Sequence, residues 1–194
     1  MHKFNRQFYQ QKDTLELAET LIGKSIFTNF NNLKTGGIIT ETEAYCGITD
    51  KACHAYNNKR TKRTETMFKA GGVIYVYLCY GIHHLLNIVT NTVDEPHAIL
   101  IRAIHPTTGI ETMKIRRKKS VVNKSFTKGP GTVSQALGIS IKNNGLNLTE
   151  NQIWIENSEC ENIIIEKTPR IGIEYAKEDA LLPYRFVTSH FDVK

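Results

Sequence analysis

The chain has 194 residues, enough for one domain with a substantial core and too few for two ordinary ones. Its hydrophobic fraction of 40% and charged fraction of 23% are those of a soluble globular protein, and no apolar run reaches the roughly 18 residues of a membrane-spanning helix. The formal net charge of +6 suits a polyanionic partner without requiring one. Since no apolar signal core follows the N-terminus, we expect a cytoplasmic protein.

The first part of the chain predicts a helix, a long strand and then a loop. The predicted elements are a helix over 14–22, a strand over 36–45, and a loop-rich basic segment over 46–72 with a short helix around 50–55. Thr14 or Asp13 can cap the first helix, and Gly23 ends it.

The second part predicts a hairpin, more strands and two helices. Residues 73–79 favour a strand, Tyr80 and Gly81 a turn, and residues 85–90 the returning strand. The other predicted elements are a strand at 98–104, helices at 110–119 and 132–137, and strands at 152–156, 162–165 and 184–188. No repeat or long linker divides the chain, so we expect a single α+β domain over residues 1–194. Its sheet should be curved and largely antiparallel, with a few helices and a protruding tyrosine-tipped β-hairpin.

Cysteine and histidine spacing gives no metal motif. The four cysteines, at positions 46, 53, 79 and 160, form no Cys-x-x-Cys pair, and the histidines form no His-x-x-x-His motif. We therefore expect reduced cysteines and no metal site.

Basic residues are clustered rather than evenly spread. The clusters lie at 59–63 with Lys69 nearby, at 114–119, and at Lys124 with Lys128. Each cluster alone is compatible with an ordinary solvated surface. Because they flank an aromatic hairpin, together they favour contacts with nucleic-acid phosphates.

Two glutamates interrupt the strand predicted at 36–45. Since side chains alternate along a strand, Glu41, Glu43 and Tyr45 share one face. Glutamate is depleted in strands, so this face is either solvated or the wall of a site. In the second case, a carboxylate beside an aromatic ring could act as a general base or stabilise a cation.

The predicted hairpin carries tyrosines with different expected environments. Tyr75 and Tyr77 point to the same face, and Tyr80 falls in the turn. Tyr75 fits a core position with its hydroxyl satisfied, and Tyr77 fits a core or a site equally well. An exposed ring at the turn favours use of Tyr80 as a wedge in a base stack.

Polar residues also interrupt two apolar strands. Asn87 and Arg102 must be hydrogen-bonded or paired if they are buried, either in a structural network or in a site. His54 lies in the loop eleven residues after Glu43.

Taken together, these segments resemble the alkyladenine (3-methyladenine) DNA glycosylase family, the mammalian type that also occurs in bacteria. The resemblance covers nearly the whole chain, and its strength lies in the order and spacing of the segments. They are LAETLIG (17–23), ITETEAY (39–45), TKR (61–63) with MF (67–68), YVYLCYG (75–81), NI (87–88), LIRA (100–103), KGP (128–130), QALG (135–138) and PRIG (169–172).

The resemblance implies a role for each candidate residue. Catalysis would depend on Glu43, which deprotonates the attacking water, and on Arg102, which positions that water and Glu43. Tyr45, His54 and Tyr77 would form the base pocket, and Asn87 would crowd the position of the guanine amino group. Tyr80 would fill the gap left in the duplex. The family uses no cofactor, no metal and no Schiff-base lysine.

These observations predict a monofunctional glycosylase of base excision repair. It would flip alkylated or deaminated purines (3-methyladenine, 7-methylguanine, hypoxanthine and ethenoadenine) from double-stranded DNA and hydrolyse the N-glycosidic bond, leaving an abasic site. We expect a monomer with no membrane partner. The alternatives are a non-catalytic single-strand binder that uses the tyrosine hairpin, which would not need Glu43, and a small-molecule nucleoside hydrolase, which would not need the basic clusters.

Overall fold

The computed structural model describes residues 2–11, 13–158 and 160–193. Within these residues, the strands are β1 (Ser25–Phe30), β2 (Leu33–Tyr45), β3 (Ile74–Cys79), β4 (His83–Thr90), β5 (His97–Thr108), β6 (Ile153–Glu156), β7 (Cys160–Thr168) and β8 (Arg185–Val193). The α-helices are α1 (Arg6–Tyr9), α2 (Thr14–Thr20), α3 (Ile110–Arg117) and α4 (Pro130–Leu137). Shorter 3-10 segments lie at Tyr56–Asn58, Glu65–Phe68, Ile141–Asn143 and Glu174–Leu181.

The strands form one antiparallel sheet. Its main order is β3-β4-β5-β2-β1-β6, and β8 pairs with both β2 and β7. The long strand β2 pairs with β5 along one side, while β1 and β8 share the other side. Register shifts interrupt the β2–β5 ladder on both sides of Glu41, as expected where a strand bends. The second half of β2, which carries the glutamates, therefore lies between β5 and β8.

The core lies between this sheet and the helices. Leu17 and Ala18 of α2 are fully buried, and the Thr42 hydroxyl of β2 donates to the Ala18 carbonyl at 2.8 Å. The Asp13 side chain caps α2 by accepting from the backbone N–H groups of Leu15 and Glu16. Helix α2 thus fixes one face of β2 and leaves the opposite face for the glutamates.

The α+β class and the largely antiparallel sheet are confirmed, but strand β1 was missed. It follows the predicted helix directly and is joined to β2 by Asn31 and Asn32, which both have positive φ. Two such residues between β-prone segments are typical of a tight hairpin, so Asn31-Asn32 was the available signal.

The short helix predicted around 50–55 is wrong. The chain forms turns there, because the Asp50 carboxylate accepts hydrogen bonds from the backbone N–H groups of Cys46 and Ala52.

Among the described residues, no helix is long and apolar enough to cross a membrane.

Candidate active site

Glu43 lies on β2 with none of its surface exposed. Its Oε1 accepts a hydrogen bond of 2.8 Å from the backbone N–H of Ile171, and its Oε2 accepts one of 2.8 Å from the Tyr45 hydroxyl. Arg102 Nη1 lies 3.3 Å from Oε1. An ionised carboxylate has about four lone-pair positions, so these three partners leave one for a further donor such as water.

Glu41 has a different set of partners, two residues earlier on the same strand. Its Oε1 accepts from Arg102 Nε at 2.8 Å and from Arg185 Nε at 2.5 Å. Arg102 therefore bridges the two glutamates and is itself held by Glu41. The sequence left open whether the strand face that carries Glu41 and Glu43 is solvated. In the structure both glutamates are buried.

Burial dominates the electrostatics of Glu43. It raises the pKa of the Glu43 carboxyl above its ordinary value, although Arg102, the Ile171 N–H and the Tyr45 hydroxyl each lower it. Burial and the adjacent Glu43 charge raise the pKa of Tyr45 well above its usual value, so its hydroxyl stays a donor at neutral pH. A carboxylate whose pKa is moved toward neutrality is suited to accept a proton.

A cleft of about 390 Å³ lies above this carboxylate. Of the predicted site residues, it is lined by Tyr45, His54, Tyr77, Tyr80 and Arg102. Tyr45 and Arg102 also contact Glu43, which therefore lies one side chain below the floor of the cleft. Aromatic walls above a carboxylate can hold a planar base beside a proton acceptor.

The tyrosines of β3 form one wall together with His54. The rings of Tyr75 and Tyr77 stack with centroids 5.5 Å apart, and the His54 ring meets Tyr77 edge-on at 4.6 Å. Tyr75 is buried, and its hydroxyl bonds to His54 Nδ1 at 3.0 Å. Tyr75 thus supports the wall, while Tyr77 faces the cleft.

Asn87 lies beneath this wall in a small adjoining cavity lined also by Tyr45, His54 and Tyr77. Its side-chain amide donates to the backbone carbonyls of Tyr75 and Leu85, at 3.1 and 3.4 Å. The two hydrogen bonds satisfy a buried amide and fix its orientation toward the cavity.

Tyr80 lies in the turn between β3 and β4, where 89% of its surface is exposed. The Ile82 N–H donates to the Cys79 carbonyl at 3.1 Å, and both Tyr80 and Gly81 have positive φ, as in a type I′ turn. Leu78 and Ile82 are also exposed on this hairpin. A tip with three exposed apolar side chains is available for contact with another molecule.

Several arginines of the basic clusters are used by the fold. Arg60 forms ion pairs with Glu65 and Asp94, both at 2.7 Å. Arg116 and Arg117 of α3 bond to the backbone carbonyls of Ala136 and Phe126. Phosphate contact stays a prediction for the exposed lysines of these clusters, which are Lys59, Lys62, Lys69, Lys118, Lys119, Lys124 and Lys128.

The segment that completes the site has no role among the predictions made from the sequence. Besides the Ile171 N–H, this segment supplies Arg170. The Arg170 guanidinium is buried and donates two hydrogen bonds to the Asp50 carboxylate, at 2.5 and 2.9 Å. The Arg170 guanidinium lies 4.9 Å from the centre of the Tyr45 ring. Tyr175, 64% exposed, lines the cleft on the same side. The PRIG motif at 169–172 was the only signal, and nothing in it indicated contact with Glu43.

Known proteins are similar in sequence to this chain over nearly their whole length. A protein of Chlamydia pneumoniae, provisionally named 3-methyladenine DNA glycosylase, is 46% identical over 186 residues, which cover 95% of this chain and 94% of that protein. A protein of Bacillus cereus strain AH187 with the same provisional name is 42% identical over 188 residues, which cover 92% of each chain.

The model of one protein family also matches the chain. It is the family described as methylpurine-DNA glycosylase, and the match extends over residues 7–191. It includes every strand and loop that borders the cleft. The chain therefore belongs to the methylpurine-DNA glycosylase family and is a DNA glycosylase, a hydrolase of N-glycosyl bonds.

Proposed function

We propose that the protein is a monofunctional glycosylase that removes alkylated or deaminated purines from duplex DNA. Its substrates would be 3-methyladenine, 7-methylguanine, hypoxanthine and ethenoadenine, and its product an abasic site. Water is the nucleophile, and we propose that no metal or cofactor takes part. We expect the enzyme to act as a monomer in the cytoplasm. The observation that carries the proposal is the buried Glu43 carboxylate directly beneath an aromatic cleft.

Eversion of the base is the first step. A base cannot be attacked inside the stack, and extruding it costs a few kcal/mol, least for a damaged pair. Stacking of the base on Tyr45 and Tyr77 returns about 1–3 kcal/mol. The exposed ring of Tyr80 is suited to fill the gap left in the duplex, because no packing within the protein would be lost when it enters DNA.

Hydrolysis then requires a base and a stabiliser of positive charge. The water oxygen attacks C1′ of the sugar, the bond from C1′ to the base nitrogen breaks with its electrons going to the base, and a water proton passes to Glu43. The Glu43 carboxylate also stabilises the oxocarbenium character of the sugar. Arg102 is 3.3 Å from Glu43 and lines the cleft, so it can orient both the carboxylate and the water.

Substrate choice depends on the leaving group and on the pocket. A 7-methylguanine base is cationic and leaves readily, whereas hypoxanthine is neutral and must gain a proton. We propose that Asn87, held by two backbone carbonyls, crowds the position where normal guanine carries its amino group. A rigid side chain discriminates better than a mobile one, because it cannot move aside for the wrong base.

The test is base release from a duplex that contains one hypoxanthine, ethenoadenine or 7-methylguanine, followed by hot alkali. The strand should be cut at the lesion by the native protein, and the Glu43→Gln variant should be slower by about a thousandfold, as expected for loss of a general base. A cooperative melting transition at or slightly above that of the native protein would show that the variant is folded. If the native protein leaves every strand intact but still binds single strands, it is the non-catalytic binder.

A further inference from the structure

Arg63 is exposed, but its side chain also lies against the wall of the base pocket. Its guanidinium carbon is 4.9 Å from the centre of the Tyr77 ring, within the range of a cation–π contact. Its Nη2 is 3.3 Å from His54 Nε2, and Arg63 lines the same cleft as these two residues. The sequence grouped Arg63 with the basic cluster at 59–63, yet its contacts are with the pocket wall.

The positive charge of Arg63 lacks a neutralising partner in the part of the chain that the structure describes. Among the residues that the structure describes, no carboxylate lies within ion-pair distance of its guanidinium. Arg60, three residues earlier, pairs with two carboxylates. Arg170 also lies beside an aromatic wall of the pocket, but Asp50 neutralises it. Arg63 is therefore the unneutralised arginine against the tyrosine wall.

Arg63 also fixes the state of His54. A guanidinium can only donate, so His54 Nε2 accepts and the ring carries its proton on Nδ1, where it bonds to the Tyr75 hydroxyl. Burial and the nearby charges of Arg63 and Lys59 lower the pKa of His54 to about 4. At neutral pH, this side of the pocket thus presents a neutral imidazole and one permanent cation.

We infer that Arg63 determines the charge preference of the pocket, disfavouring cationic bases and shifting the enzyme toward neutral lesions. The inference rests on the proposed function, since it concerns a base held between Tyr45 and Tyr77. A stacked cationic base would lie within several ångströms of the guanidinium and be repelled by it. The Tyr77 ring, already in contact with one cation, also offers a second cation less attraction.

The size of the effect follows from Coulomb repulsion. Two unit charges roughly 8 Å apart, at an effective dielectric constant of about 20, change an affinity by about thirtyfold. Because the Arg63 side chain is exposed, screening by water and salt reduces this to about tenfold. A neutral purine such as hypoxanthine carries no charge to be repelled, so Arg63 acts on the ratio between the two classes of lesion rather than on overall activity.

The experiment compares Arg63→Met with the native residue on duplexes that contain 7-methylguanine or hypoxanthine. Binding is measured in the Glu43→Gln background, where the lesion stays intact, and single-turnover release is measured in the catalytic protein. Arg63 is exposed, so Arg63→Met should fold. We expect the preference for 7-methylguanine over hypoxanthine to rise about tenfold in Arg63→Met, while Arg63→Lys keeps most of the native ratio.

Lys62→Met is the matched control, because it removes one charge from the same loop at an exposed position outside the cleft. It should weaken binding of both duplexes equally. The inference is overturned if Arg63→Met also lowers both equally, as a phosphate contact would, or leaves the ratio unchanged. If the catalytic protein releases neither base, the proposed function fails, and the binding ratio still decides the role of Arg63.

Discussion

The floor of the cleft and the tip of the β3–β4 hairpin border the same space but are built in opposite ways. Directly beneath the floor, Glu43 is buried and held by Ile171, Tyr45 and Arg102. At the tip, Tyr80 is almost fully exposed, and its hydroxyl bonds to none of the described residues. Proton transfer needs fixed distances, whereas insertion into DNA needs a side chain free of contacts within its own protein.

Because of this difference, substitutions in the two regions should affect stability and activity differently. Substitutions on the floor should alter both, because each group there is paired with another buried group. Substitutions at the tip should alter DNA capture and leave the fold unchanged, because exposed side chains contribute little to stability.

The largest effect on stability is expected for Arg102→Met on the floor. It leaves two buried carboxylates, of which Glu41 keeps Arg185 and Glu43 has no other cation within ion-pair distance among the described residues. Loss of one member of a buried ion pair costs about 3–5 kcal/mol, and we expect the free energy of unfolding to fall by that amount in urea titrations. Base release should slow by about a hundredfold.

Arg185→Met is the control for this variant. The Arg185 side chain bonds to Glu41 and Thr168, and its pairing with Glu43 in the β2–β8 ladder is through the backbone, so Arg185→Met should lower stability and largely spare base release. Equal loss of activity in both variants would mean that Arg102 acts only through the fold.

A smaller effect, confined to DNA, is expected for Tyr80→Ala at the tip. Stacking of an aromatic side chain on a base is worth about 1–3 kcal/mol, so the half-saturating concentration in single-turnover release should rise by about 5- to 150-fold. The melting temperature should not change. Tyr80→Phe should behave as the native protein, since the ring and not the hydroxyl would insert.

Ile82→Ala tests whether position in the turn matters. Ile82 is 73% exposed in the same turn, and its loss should weaken lesion capture less than the loss of Tyr80. A drop of the same size for both variants would point to a general apolar contact at the tip instead of a specific wedge.

Features that depend on neighbouring residues could be predicted from the sequence, whereas contacts between distant segments could not. Alternation along β2 and β3 correctly grouped Glu41, Glu43 and Tyr45, and separated Tyr80 from Tyr75, because the side-chain period of a strand is local. The partners of Glu43 follow from contacts far apart in the chain. Ile171 is 128 residues from Glu43, and only the tertiary fold brings its N–H to the carboxylate.

The arginines of the basic cluster at 59–63 show that the sequence also does not reveal which charged residues are paired. In the sequence, Arg60 and Arg63 belong to one basic cluster, yet the first pairs with Glu65 and Asp94 and the second contacts Tyr77. The charge of the two arginines does not distinguish them, because pairing depends on which carboxylates the folded loop places beside each guanidinium. The net charge is therefore compatible with a polyanionic partner, but it does not identify which cations would contact that partner.

The smallest predicted effect concerns the cost of keeping Glu43 charged. Its pKa is raised in the folded protein by burial, so the folded state holds this proton more tightly than the unfolded state, and stability from this group falls as pH rises through the folded pKa. Glu43→Gln, which removes the charge but keeps an acceptor for Ile171, should therefore be more stable than the native protein at pH 7, by about 1 kcal/mol. The gain should disappear below the ordinary glutamate pKa of about 4.3, where the native carboxyl is protonated in both states.

Urea titrations of both proteins from pH 4 to pH 8 measure this difference, and base release by the native protein should fall over the same acidic range as Glu43 becomes protonated. A variant that is less stable at every pH would mean that the contacts of Glu43 with Arg102 and Tyr45 outweigh its desolvation. A gain in stability together with loss of catalysis would show that the protein keeps a buried charge on its cleft floor for chemistry and at the expense of the fold.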